Sequence, residues 1–158
     1  LQLAPDILVD DLSRLADAFA ESVDTEPDKP YKLIGRRQLR SNNSWLHNSE
    51  RMVRGKKRCT LLLHPDDAAQ LGVKDGEDVE VRSAQGKLVI STEVSDEIMP
   101  GVVSIPHGWG HDKEDTHVQT AKANPGVSIN DIVDAKLMDR LTGVASLNGI
   151  PVDISTVS

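Results

Sequence analysis

Two runs that alternate polar and apolar residues, Asp78-Val79-Glu80-Val81-Arg82-Ser83 and Lys87-Leu88-Val89-Ile90-Ser91-Thr92-Glu93-Val94, stand on either side of Gln85-Gly86. Alternation with period two puts every second side chain on one face, which is a half-buried strand and not a helix. A glycine-containing turn between two such runs makes them a hairpin. Other short extended segments surround it. Tyr31-Lys32-Leu33-Ile34 comes first, and Arg58 to Leu63 reads as a buried strand because Leu61-Leu62-Leu63 is uninterrupted apolar. Val102 to Pro106 follows the turn Pro100-Gly101. Near the end, Val144 to Leu147 and Ile150 to Ile154 flank Asn148-Gly149 and read as a second hairpin, with Pro151 at an edge or bulge position. Short strands with turns between them, and little helix, predict a mainly β barrel and not a βαβ sheet.

Two helices are expected. In His64-Pro65-Asp66-Asp67-Ala68-Ala69-Gln70-Leu71-Gly72-Val73, proline suits the first helical position and the two aspartates suit the positive end of the helix. Gly72 suits the left-handed residue that ends it, His64 is an entry or capping residue, and Ala68, Leu71 and Val73 face inward. Upstream, Leu8, Leu12, Leu15 and Phe19 recur at helical spacing, with Asp10 and Asp11 near the N-terminus. Asp24 to Pro30, with two prolines and little apolar content, reads as a linker. The upstream helix either packs on the domain or belongs to whatever lies before it. A start at Leu1 and not at methionine favours an excised piece, so residues 1–28 are expected to be a lead-in helix and linker from the upstream part of a longer parent, and residues 29–158 the barrel.

The chain has 158 residues, about one domain, and only 3% aromatic content, so its core must be aliphatic. No apolar run approaches the ~20 residues a membrane span needs, and the start lacks a secretory pattern. The single cysteine, Cys59, cannot form an internal disulfide and reads as a small strand residue. A cytoplasmic location follows as the expectation, although a targeting segment before Leu1 would change it. Net charge is −7, which disfavours general nucleic-acid affinity. The distribution says more than the sum. Lys29 to Arg58 holds ten Lys or Arg against one acid, Glu50, within an otherwise acidic chain. Such an island is either a local anion site or a solvated basic face.

Inside the island lies Gly35-Arg36-Arg37-Gln38-Leu39-Arg40-Ser41-Asn42-Asn43-Ser44-Trp45-Leu46-His47-Asn48. Guanidinium groups meet phosphate oxygens bidentately, amides read ring edges, and hydroxyls fill remaining acceptors, so this segment is equipped for a large, flat, anionic ligand. A polar surface loop is the plain alternative. The loop His107-Gly108-Trp109-Gly110-His111 adds glycines that allow close backbone approach and a ring for stacking, and Asn130-Asp131 adds two polar groups able to cap or bind. Two rival chemistries remain. His107, His111 and His117, with Asp112 and Asp115, could hold zinc, although the glycines between them argue against a helix that would align the rings. Basic residues interleaved with Trp45 fit a single-strand nucleic-acid module, which the acidic remainder disfavours.

The order and spacing of Leu63-His64-Pro65-Asp66-Asp67-Ala68, Leu71-Gly72, Asp75-Gly76, Val79, Val81, Gly86 and Pro100-Gly101-Val102-Val103 resemble one family. It is the C-terminal molybdopterin-dinucleotide-binding domain of the dimethyl sulfoxide reductase, nitrate reductase and formate dehydrogenase group of molybdenum and tungsten oxidoreductases. The resemblance covers about Lys29 to Ile154. It implies a six-stranded double-psi β-barrel with short helices (an aspartate decarboxylase-like barrel) that folds over bis(molybdopterin guanine dinucleotide) carrying Mo or W. It also implies that upstream domains of the same parent chain share the cofactor. Arg36, Arg37 and Arg40 would then neutralise pyrophosphate, and Ser41, Asn42, Asn43 and Ser44 would bond pterin or guanine edges. Trp45 and Trp109 would stack on the ligand, wall the cleft or simply pack, and His107, Gly108, Asn130 and Asp131 would complete the contacts. No catalytic residue and no metal ligand is expected in this chain, which alone should not turn over. Changing Arg36 and Arg37 together to alanine should abolish ligand binding and leave the fold intact.

Overall fold

The structure, a computed structural model, describes residues 3–24 and 30–157. Six strands close into one barrel: β1 (Tyr31–Arg36), β2 (Leu61–Leu63), β3 (Asp78–Arg82), β4 (Lys87–Val94), β5 (Val102–Pro106) and β6 (Asn148–Thr156), in the spatial order β1-β5-β2-β4-β3-β6. Two pairs are parallel, β1 with β5 and β2 with β4, and the other contacts around the barrel are antiparallel. This is the double-psi arrangement. Parallel neighbours cannot be joined by a tight turn, so long crossovers must run over the barrel ends.

Strand directions decide where the functional loops lie. β1 and β5 run the same way, so the segments that follow Arg36 and Pro106 leave at one rim. β6 is antiparallel to β1 and enters there, β2 is antiparallel to β5 and begins there, and β4 follows β2. The Ser83–Gly86 turn between β3 and β4 therefore faces the same rim.

Inside, Leu33, Leu61, Leu63, Val79, Val81, Val103, Ile105 and Val152 are fully buried, together with Ile132 from a short 3-10 turn, Ile129–Ile132. Each such side chain contributes about 1.5–3 kcal/mol of burial. Alternation behaves as expected on β3, where Val79 and Val81 point inward and Glu80 points outward to Arg82 and Lys87, at 2.6 and 2.7 Å. The short helix forms as expected over Pro65–Leu71 (α3), ended by Gly72 at φ +68°. His64 caps it, its Nδ1 accepting from the Asp66 backbone N–H at 3.1 Å. Ala68 and Val73 are buried, and Leu71 packs against the core. Asp67 has a second role. It is buried and its carboxylate accepts from the Gly101 N–H at 2.8 Å, fastening the helix to the turn before β5. Asp67→Ala is expected to lower stability by about 1.5–3 kcal/mol, measured as the urea midpoint, because the Gly101 N–H loses a charged partner.

Several expectations need correction. β2 begins only at Leu61, since the Arg58 side chain turns back to the carbonyls of Met52, Val53 and Arg54. Asn148-Gly149 is not a hairpin turn. It opens one continuous strand, and the β1–β6 register slips there, with Leu33 opposite Ile150 and Ile34 opposite Asn148. Gly149, at φ +75°, is the extra residue of a bulge. Asn148 Oδ1 then accepts from the Gly35 N–H at 2.9 Å. Pro151 pairs with Lys32 of β1, whereas the pairing to β3 runs from Asp153, so its missing N–H faces no strand on that side. Val144–Leu147 contributes only an isolated bridge, Met138 to Ala145.

The upstream helix, α1, spans Asp6–Asp24, so Asp10 and Asp11 sit in its second turn and Asp6 occupies the first. Asp11 instead pairs with Arg14. Leu8, Leu12, Leu15 and Phe19 are exposed. Residues 25–29 of the expected linker lie outside the described residues. Among the described residues no helix is long and apolar enough to cross a membrane.

Candidate functional site

Much of the basic island is committed to the fold. Arg36 closes β1 and turns its guanidinium across the rim: Nη1 donates to the Ser104 carbonyl, and Nη2 donates to the carbonyl and hydroxyl of Thr60, both at 2.8 Å. Thr60 Oγ1 in turn donates to Glu93 at 2.6 Å, and Lys56 pairs with the other Glu93 oxygen at 2.7 Å. Burial pushes the Arg36 pKa down, while the Glu93 charge 3.9 Å away opposes it. Arg40 donates to the carbonyls of Arg51 and Arg54 at the end of a one-turn helix, α2 (Glu50–Val53), where Arg58 also donates. Cations at the negative end of a helix satisfy its orphan carbonyls. Arg36 and Arg40 thus spend donors on backbone carbonyls, and the three guanidiniums expected to act together have separate surroundings. Arg37 alone of the three is exposed without a hydrogen bond among the described residues, and its charge acts on His107.

The segment from Ser41 to His47 is held from within. Ser44 N–H donates to the Ser41 carbonyl at 3.1 Å, Leu46 N–H to the same carbonyl at 3.1 Å, and His47 N–H to the Ser44 carbonyl at 2.9 Å. Three consecutive non-glycine residues, Asn42, Asn43 and Ser44, have φ of +43°, +59° and +99°. Left-handed conformations of this kind cost on the order of 1–3 kcal/mol each and persist only where surrounding contacts impose them. Ser41 is buried, and its hydroxyl is engaged by His47 Nε2 at 2.7 Å. Asn42 and Asn43 are exposed, with amides free of hydrogen bonds among the described residues. Trp45 is 84% exposed.

The second loop docks on the first. A Cβ at Gly108, where φ is +88°, would stand 2.8 Å from the Asn43 carbonyl carbon and 2.9 Å from the Ser44 nitrogen. His107 lies over Gly35, where a Cβ would meet its Nε2 at 1.9 Å, and burial followed by the Arg37 charge lowers its pKa. Trp109 stacks on His47 with centroids 3.9 Å apart, and its Nε1 is buried without a partner. His47 Nδ1 meets His111 Nε2 at 2.7 Å. Gly126 packs between the Trp109 ring and Cys59 Sγ, at the edge of a cleft of about 400 Å³ that Lys57, Arg58, Asn124 and Pro125 also line. Cys59 lies just before β2, half-buried; its thiol exchanges contacts with the Val127 backbone, and burial pushes its pKa up.

The rim therefore assembles Arg37, Asn42, Asn43, Ser44, His107, Gly108 and Trp109, but Asn130 and Asp131 join less directly. Both are exposed; Asp131 pairs with Lys113 at 3.7 Å, and its carbonyl would lie 2.5 Å from a Cβ at Gly86. His47 and His111 were not singled out as ligand-loop residues by sequence. A histidine inside the polar segment and another in the glycine-rich loop were the available cues, without anything to pair them. Asn48 is also structural, its side-chain oxygen accepting from the Thr120 N–H at 3.0 Å to cap α4 (Gln119–Ala123). Among the described residues no group of three His, Cys, Asp or Glu is placed to hold a metal ion, so His107, His111 and His117 do not assemble the zinc site weighed above.

The free guanidinium, the unpaired asparagine amides, the orphaned indole N–H and a glycine cradle that a Cβ would fill fit a polyanionic, ring-bearing ligand. Comparison with known proteins agrees with that chemistry. The chain is 31% identical over 134 residues to the molybdopterin-containing subunit ArrA of the arsenate respiratory reductase of Chrysiogenes arsenatis, covering 76% of this chain and 15% of that protein. It is 40% identical over 63 residues to dimethyl sulfoxide/trimethylamine N-oxide reductase of Rhodobacter capsulatus, covering 40% of this chain and 7% of the relative. The chain thus spans a small fraction of the relatives' length. In fold it is similar to acetylene hydratase of Pelobacter acetylenicus, with a TM-score of 0.69, 20% identity, and coverage of 98% of this chain and 20% of that one. The profile of the molydopterin dinucleotide binding domain matches residues 31–151. The chain belongs to the molydopterin dinucleotide binding domain family.

Proposed function

We propose that this chain is the cofactor-covering part of a molybdenum- or tungsten-dependent oxidoreductase and closes one rim of its barrel over bis(molybdopterin guanine dinucleotide). The observation that supports this most is the docking of the left-handed Asn42–Ser44 turn on Gly108, which brings the two polar loops to one rim. In this reading Arg37 meets a phosphate oxygen, Asn42, Asn43 and Ser44 bond the edges of the guanine or pterin rings, and His107 and Trp109 border the ligand. When bound, the cofactor supplies the redox chemistry. The residues of this chain bind, orient and exclude water. They provide no metal ligand and no proton-transfer group of their own, and the chain alone has no turnover. Upstream domains of the same parent carry the remaining surface around the cofactor, and residues 1–28 lead in from them.

The reading is tested by thermal unfolding with guanosine diphosphate or extracted pterin cofactor. A ligand that binds only the native state at 100 times its Kd adds about 2.7 kcal/mol, roughly 5–10 °C in a chain of this size. Arg37→Ala is expected to remove most of that shift and leave the unliganded melting temperature in place, since an exposed side chain without partners contributes within about 0.5 kcal/mol. Absence of any shift with either ligand in the unaltered chain would overturn the assignment.

A further inference from the structure

The two loops meet on one side chain. His47 is 2% exposed and stands in a hydrogen-bonded series, Ser41 Oγ to His47 Nε2 at 2.7 Å and His47 Nδ1 to His111 Nε2 at 2.7 Å, under the Trp109 ring. The groups that face it are the Ser41 hydroxyl from its own segment and His111, Trp109 and the Gly108 backbone from the other. The Asp112 carboxylate acts on His111, and no carboxylate bonds His47 among the described residues. A neutral imidazole carries one N–H, so exactly one proton fits between the facing nitrogens of His47 and His111, whichever ring owns it. One imidazolium beside a neutral ring keeps that bridge, because the added proton sits on an outer nitrogen; only with both rings protonated does N–H face N–H at a distance that requires a donor and an acceptor.

We propose that His47 is the positioning residue that latches the Asn42–Ser44 turn to the His107–His111 loop, and that protonation of His47 beside an already protonated His111 releases the latch. The latch belongs to the protein with or without ligand, and what it serves rests on the cofactor reading above: it holds the turn in its left-handed shape against Gly108, so the free amides are presented before the ligand arrives. Burial, followed by the neighbouring His111, pushes the His47 pKa down to about 4, partly offset by the Gly108 backbone. The folded value thus lies below the ordinary 6.5. The latch is intact above that ordinary value and is lost as pH falls from it through the folded one.

The test uses the whole chain without ligand. His47 titration is followed by imidazole NMR, and amide protection, normalised for intrinsic exchange, is measured for Leu46, His47 and Gly110. Protection at these three amides is expected to fall together at least tenfold along the His47 titration, while Leu33 and Val103 in the barrel stay protected. His47→Ala is expected to show the low protection already at pH 7. Should that variant not fold, the titration of the unaltered chain decides alone. Protection that ignores the His47 titration, or that survives in His47→Ala, would overturn the latch. A guanosine diphosphate titration separates the two readings: a latch that behaves as expected in a chain that the nucleotide does not stabilise would retire its role in presenting the cofactor edge and leave the pH response standing.

Discussion

Gly108→Ala is expected to unfold the rim and cost about 3 kcal/mol or more, a fall of roughly 6–12 °C in melting temperature. Two penalties combine. The added methyl is held in a left-handed conformation at φ +88°, and it is driven into the backbone of Asn43 and Ser44, which cannot swing aside as a flexible side chain can. Gly72→Ala is the control. Its φ is +68°, but a Cβ there meets nothing within 4 Å, so only the backbone term applies, about 1 kcal/mol. If Gly108→Ala were no worse than Gly72→Ala, the two loops would not be in the contact described. Ligand-dependent stabilisation is expected to vanish in the first variant and persist in the second.

The second large effect separates two adjacent arginines. Arg36→Ala leaves the carbonyls of Thr60 and Ser104 without the guanidinium donor and removes one of the two cations beside Glu93, Lys56 being the other, so a loss of about 2–4 kcal/mol is expected in urea unfolding. Arg37→Ala should leave the urea midpoint nearly unchanged and remove ligand stabilisation. Sequence alone assigned both to the ligand, with the fold indifferent to either. A measured midpoint for Arg36→Ala close to that of the parent would return Arg36 to the binding surface.

The contrast shows what was legible. Elements set by local chemistry came through: the alternation of Asp78–Arg82 and Lys87–Val94, the Pro65 start and Gly72 end of α3, and the His64 cap. Each rests on neighbours within a few positions. Asn148-Gly149 misled because the same positive φ serves a hairpin or a bulge, and only the distant β1 register distinguishes them. The barrel order was likewise available only through family resemblance, since parallel pairing of β1 with β5 joins segments about 70 residues apart. At the site, composition located the rim but could not apportion its cations. Whether an arginine meets solvent or a carbonyl depends on partners such as Thr60, Ser104 and Arg51, which no spacing reveals. The His47–His111 contact, across 64 positions, was invisible for the same reason.

Closure between β1 and β6 bears on how the molecule is made. Gly35 obtains its side-chain acceptor from Asn148, 113 positions later. Contacts so remote in sequence form late and slowly, and a chain emerging from the ribosome leaves β1 with an open edge until the last strand is synthesised. Until β6 arrives, that edge of β1 is open to pairing with another chain.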